Sequence, residues 1–214
     1  MLKIAILTTS RADYGFLSAL IKKMKKSNKL NPCLVVCGSH LSKKHGLTIN
    51  EIKKDKIKIH YKINSYNEKF STEESIKRVV QGFSEAIKKL RPDLIFLPAD
   101  RYEILAAANV ALVNNIPIAH YAGGQITEGA WDNSIRHAVS KISHLHFVAT
   151  KNCKKRLIQM GEDSSKVFIC GSLGVDNIKN TKFMKKNELE KKLNFKLSSK
   201  FALVTYHAET LKNF

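Results

Sequence analysis

The chain has 214 residues, 43% hydrophobic and 26% charged, which is enough for one large domain or one domain plus the start of another. Its net charge of +19 invites a nucleic-acid surface, yet the excess is uneven: residues 1–92 hold 20 basic and 7 acidic side chains, 93–150 hold 3 and 5, and 151–214 hold 14 and 6. One Trp and few Arg interleave with that Lys, so the pattern reads as a solvated surface able to steer an anionic substrate, with no nucleic-acid partner expected.

Residues 4–8 read as a first strand, entered straight from Met1-Leu2-Lys3, so no leader peptide is expected. Residues 16–24 carry apolar side chains at helical spacing. Residues 32–37 form a second strand, bracketed by Cys33 and Cys37. Zinc would need a second close pair, which Cys153 and Cys170 do not make, so no metal is expected. Residues 57–63 are a shorter, more polar strand. A stripe of Ile76, Val79, Val80, Phe83, Ile87 and Leu90 marks a helix over 73–90. Arg91-Pro92-Asp93 ends it, and 94–97 is a continuous apolar strand. An Ala-rich helix over 104–113 follows, then a strand over 117–121, a helix over 134–142 and a strand over 145–148. A helix over 153–160 and a strand over 167–170 complete the alternation. Strands alternating with helices imply an α/β fold, a parallel sheet with helices on both faces. No apolar run approaches the ~20 residues needed to span a bilayer, so a cytoplasmic protein with no membrane partner is expected.

Residues 174–200 are rich in Lys and Asn, with a short helical stretch over 187–193, and read as a hinge or linker. Residues 201–206 read as one more strand, leading into His207-Ala208-Glu209-Thr210. The expected division is a first domain over 1–173, a linker over 174–200 and the opening of a second domain over 201–214. On that reading the sequence is a fragment.

Open parallel sheets bind ligands outside the carboxyl ends of their strands. The residues just after the predicted strands are Thr9-Ser10-Arg11, Gly38-Ser39, Asp100-Arg101, Gly123-Gly124, Thr150 and Gly171-Ser172. Arg11 is a candidate anion anchor or a surface arginine, and Asp13 a helix cap. Asp100 is either an acid/base carboxylate at the sheet edge or the cap of the Ala-rich helix. Gly123-Gly124 lets backbone approach a ligand closely, or simply turns. No GxGxxG or GxxxxGK[ST] occurs, so no dinucleotide cofactor or P-loop is supported. On the 134–142 helix, Trp131, Ile135, Ala138 or Val139, and Ile142 form the expected buried stripe. Asp132 and Arg136 fall one turn apart and can pair along an adjoining face. His137, His144 and His146 are expected to be structural.

TTSRADYG at 8–15, PADRYEILAAA at 98–108, the 120–150 block HYAGGQITEGAWDNSIRHAVSKISHLHFVAT, GSLGVD at 171–176 and VTYHAET at 204–210 together resemble the hydrolysing UDP-N-acetylglucosamine 2-epimerases of bacterial sialic and legionaminic acid synthesis. The resemblance implies the N-terminal half of a two-domain, glycosyltransferase-B-like fold built on Rossmann-like sheets. It implies elimination of UDP across C1–C2 to a glycal, then rehydration that inverts C2, with no cofactor, in a homo-oligomer. By the same resemblance Asp100 and Asp132 are the catalytic carboxylates and His207 reaches the phosphate. Arg11, Arg136, Gly123, Gly124 and Ser172 bind substrate. Three positions depart from the family pattern: Ala99 replaces Gly, Ala208 replaces Pro, and Gln125 replaces the Glu after the double glycine. An amide transfers no proton, so either Glu128 takes that role, or Gln125 only positions substrate, or activity is impaired. The alternatives are a glycosyltransferase of the same fold and an inactive fragment that retains part of the sugar-nucleotide site.

Overall fold

The computed structural model describes residues 1–206. Seven strands form one wholly parallel sheet in the order β3-β2-β1-β4-β5-β6-β7. They are β1 (Leu2–Thr8), β2 (Leu30–Val36), β3 (Ile59–Lys62), β4 (Leu94–Pro98), β5 (Ile118–Tyr121), β6 (Leu145–Val148) and β7 (Val167–Ile169). The helices are α1 (Arg11–Lys25), α2 (Ile49–Lys54), α3 (Thr72–Leu90), α4 (Tyr102–Val113), α5 (Asp132–Lys141), α6 (Lys151–Gln159), α7 (Leu173–Lys179) and α8 (Lys186–Leu193). This is the parallel sheet with helices on both faces expected from the alternation of elements, in the Rossmann-like form that the resemblance implied.

Alternation along β1 sorts the core. Ala5 and Leu7 face one layer, with Val79 and Phe83 of α3, Ala107 of α4, and Ile135 and Val139 of α5. Ile4 and Ile6 face the other, with Leu17 and Ile21 of α1 and Ile52 of α2. Successive side chains point to opposite faces, so an unbroken apolar strand buries both.

Three expectations change. Two short helices, α2 and α7, were not signalled by apolar periodicity, having six and seven residues. Residues 201–206 pair with no strand among the described residues, and Leu203 and Val204 are exposed. Trp131 is 46% exposed rather than buried, because it stands at the cap of α5, before the helical stripe begins. No described helix is long and apolar enough to cross a membrane.

Candidate active site

The strand order reverses between β1 and β4, whose connections run to opposite sides of the sheet. That reversal opens a crevice at the carboxyl ends of the two strands. Thr9-Ser10-Arg11 flanks it on one side and Ala99-Asp100-Arg101 on the other.

The first loop is locked by a capping box. Asp13 is buried, and its Oδ2 accepts from the backbone N–H of Thr9 at 3.0 Å and of Ser10 at 3.1 Å. Ser10 caps α1 in return. Asp13 therefore serves the cap of α1, as the N3 partner of the N-cap Ser10, in keeping with the helix-cap reading. Arg11 opens α1, and its exposed side chain meets Glu51 of α2 at 2.9 Å. An exposed pair of this kind is worth at most ~1 kcal/mol, so an anionic ligand can displace Glu51.

Asp100 and Arg136 make the central contact. Arg136 is buried on α5, and its Nη2 pairs with Asp100 Oδ2 across the crevice edge. The same guanidinium donates to the Gln125 carbonyl at 3.1 Å and to Thr127 Oγ1 at 2.9 Å. One buried cation thus ties β4's exit, the loop after the double glycine and α5 together. The expected Asp132–Arg136 pair does not form. Arg136 points inward toward three acceptors, while the Asp132 side chain, one turn earlier, has no hydrogen bond or ion pair among the described residues. Nor does Asp100 cap α4; Arg101 occupies that position and no side chain caps it.

The turn that presents Asp100 is strained. Ala99 has φ +57°, a left-handed conformation that suits glycine far better than alanine. Its N–H donates to the Tyr121 carbonyl at 2.9 Å, and its carbonyl lies 2.8 Å from His120 Nε2. Ala122 repeats the pattern at the end of β5, with φ +68° and its N–H on the Phe147 carbonyl. The glycines after it have separate reasons. A Cβ on Gly123 would lie 2.9 Å from Ser140 Oγ and 3.2 Å from His120 Nδ1. Gly124 has φ +74°, and a Cβ there would meet the Cys153 carbonyl oxygen at 2.5 Å.

Sequence reasoning noted Arg101 as a loop residue and missed Glu103. Glu103 is fully buried and takes a two-pronged contact from Arg101, both at 3.1 Å. A Cβ on Gly38, at φ +62°, would lie 2.9 Å from that carboxylate and 2.6 Å from the Thr9 carbonyl oxygen. The Arg-x-Glu spacing after an apolar strand was the available signal. The histidines behave as structural groups. His40 bridges Thr8 and Thr48, and burial brings its pKa down to about 4. His146 Nε2 meets Glu162 at 3.0 Å, and Ile118 N–H donates to His144.

The remaining candidates are placed simply. Gln125 is partly buried and held by its backbone carbonyl, while Glu128 is exposed on the same loop. Ser172 caps α7, accepting from Val175 N–H at 3.5 Å. His207 lies outside the described residues. Among the described residues no group of three His, Cys, Asp or Glu could hold a metal. A separate cavity of about 320 Å³, lined by apolar side chains including Leu20, Met24, Phe96 and Leu173, belongs to the α1 face of the sheet and not to this cluster.

The family model described as UDP-N-acetylglucosamine 2-epimerase matches residues 22–213. The chain is 42% identical over 212 residues to a GDP/UDP-N,N'-diacetylbacillosamine 2-epimerase (hydrolyzing) of Campylobacter jejuni, covering 98% of this chain and 55% of that protein. It is 37% identical over 208 residues to the UDP-N,N'-diacetylbacillosamine 2-epimerase (hydrolyzing) of Legionella pneumophila, covering 96% and 55%. The crystal structure of UDP-GlcNAc 2-epimerase from Neisseria meningitidis bound to UDP-GlcNAc superposes with a TM-score of 0.75 at 19% identity, over 90% of this chain and 51% of that one. The chain thus spans about half the length of the curated relatives it matches. A family match over nearly its whole length places this chain in the UDP-N-acetylglucosamine 2-epimerase family.

Proposed function

We propose that this chain carries the sugar-facing half of a hydrolysing 2-epimerase acting on a UDP-linked 2-acetamido sugar. The observation that carries the reading is the Asp100–Arg136 pair at the strand-order reversal, with Asp132 one turn before Arg136 on α5. The reaction removes the C2 proton, breaks the C1–oxygen bond to UDP and leaves a C1=C2 glycal. Water then returns a hydroxyl to C1 and a proton to the opposite face of C2. Two carboxylates suit these steps, one taking and one returning a proton. Arg136 favours the anionic form of Asp100, which suits Asp100 to accept a proton or to stabilise positive charge at C1. Asp132 is the second carboxylate of the exchange. Arg11 displaced from Glu51 meets the departing diphosphate, and His207 joins it there. Gly123, Gly124 and Ser172 line the sugar's approach. Gln125 positions substrate through its amide, and Glu128 is the fallback proton carrier on the same loop.

The names of the two relatives point to a UDP-diacetamido-trideoxy sugar ahead of UDP-N-acetylglucosamine as substrate. We place the protein, as a homo-oligomer, in cytoplasmic nucleotide-sugar metabolism that feeds sialic- or legionaminic-type acids. Incubating the full natural protein with each UDP-sugar and no acceptor tests the reading. Release of UDP together with the free 2-epimer is expected. Intact substrate, or sugar released with C2 unchanged, refutes it, and turnover only with an added acceptor would point to a transferase.

A further inference from the structure

Asp100 projects from a turn that alanine adopts poorly, since Ala99 sits at φ +57°. Something must hold that turn. The Ala99 N–H is tied to β5, and its carbonyl meets one side-chain partner, His120 Nε2 at 2.8 Å. A carbonyl only accepts, so Nε2 must carry a proton. The other ring nitrogen, Nδ1, lies 3.1 Å from Ser140 Oγ. Burial lowers the His120 pKa to about 4, leaving the ring neutral with Nδ1 as an acceptor. The Ser140 hydroxyl also donates to the Arg136 carbonyl at 2.9 Å; a neutral Nδ1 can only accept, so the hydroxyl is shared between these two acceptors. The space for this pair exists because residue 123 is glycine; a Cβ there would press on both Ser140 Oγ and His120 Nδ1. Ser140 stands one turn after Arg136, so the α5 segment that supplies Asp100's cation also fixes the ring that holds Asp100's turn.

We propose that His120 is a positioning residue for Asp100: the neutral imidazole, its tautomer set by Ser140, donates to the Ala99 carbonyl and holds the left-handed turn that aims the carboxylate at Arg136. The inference rests on Asp100 being a working carboxylate of the proposed reaction, but its geometry can be tested without turnover. The titratable groups acting on the ring are His146 on β6 and His137 on α5. Neither supplies an anion that would charge it near neutral pH.

The variants are His120→Gln, which keeps a donor at the reach of Nε2, His120→Phe, which does not, and each with Ala99→Gly. Nitrogen-15 spectra of the natural protein should show the Nε2–H tautomer unchanged from pH 8 to 5. Carbon-13 titration of the Asp100 carboxyl should be unchanged in His120→Gln. In His120→Phe the midpoint should move upward by about half a pH unit or more, as the carboxylate slips from Arg136. Adding Ala99→Gly should bring it back, because glycine adopts the turn unaided. Turnover in the full natural protein should follow the same order, with kcat reduced by about tenfold or more in His120→Phe, KM little changed, and partial recovery in the double variant. If His120→Phe fails to fold, Ser140→Ala replaces it and should release the tautomer preference and weaken the same coupling. An Nδ1–H tautomer, or an Asp100 midpoint identical in all folded variants, overturns the proposal. An epimerase that proves inactive on every UDP-sugar overturns the reading of function while leaving the titration results to judge the turn.

Discussion

Arg136→Met is the most informative single change to this fold. It removes a guanidinium that is 4% exposed and serves three acceptors: Asp100, the Gln125 carbonyl and Thr127 Oγ1. Breaking a buried ion pair from one side costs about 3–5 kcal/mol, mainly because the other charge stays buried. The Asp100 side chain is 20% exposed and can recover some hydration. That places the expected loss at the low end, about 3 kcal/mol. For a chain of this size each kcal/mol moves the melting temperature by about 2–4 °C, so the variant should melt roughly 6–12 °C lower. Asp100→Asn alone should cost less, about 1–2 kcal/mol, because the amide still accepts from Arg136. The double variant should fall short of the sum by about 1–3 kcal/mol, the coupling typical of residues in direct contact. Thermal unfolding of the four proteins by circular dichroism closes the cycle. A coupling within error of zero, or a shift of only about 1 °C in Arg136→Met, would refute the central role assigned to this pair.

Other consequences can be checked directly. Gln125→Glu should change UDP release by no more than about threefold, since the amide is read as positioning substrate; a gain above about tenfold would show that Gln125 is a lesion. Asp132→Asn should lower turnover by two or more orders of magnitude, with UDP affinity by calorimetry unchanged. Gly124→Ala should cost more stability than Gly171→Ala, although both have φ near +75°, because only at 124 does a Cβ strike backbone; equal denaturation midpoints would remove that argument. His40 and His120 both have pKa values lowered to about 4 by burial. Their stability is present above the unfolded value of about 6.5 and is lost as pH falls toward 4, roughly 2 kcal/mol each by pH 5. Urea unfolding at pH 7 and pH 5 should show that loss, and His120→Gln should reduce it.

Much of this was legible in the residues. Asp100 could be placed at the sheet edge because an unbroken apolar run precedes it, and Asp13 could be read as a cap because a helical stripe follows it. Arg136 could be flagged but not its partner. Helical spacing offered Asp132, and only the packing of α5 against the exit of β4 shows that the buried guanidinium turns toward Asp100. Glu103 was hidden by an Ala-rich helix, where one carboxylate reads as solvent-facing until Arg101 and Gly38 close over it. Ala99 was noticed as a missing glycine, but sequence carries no dihedral angle, and the cost of that substitution is visible only as φ +57°.

The paired left-handed alanines also bear on motion. The amide of Ala99 is latched to the end of β5, and that of Ala122 to the end of β6. The exits of three neighbouring strands are therefore fastened in series. Neither loop can swing while its latch holds, so any motion about the crevice must carry this edge as a rigid lip. Amide exchange at Ala99 and Ala122 should accordingly be slow, keeping time with the opening of the sheet and not with the loops beyond it.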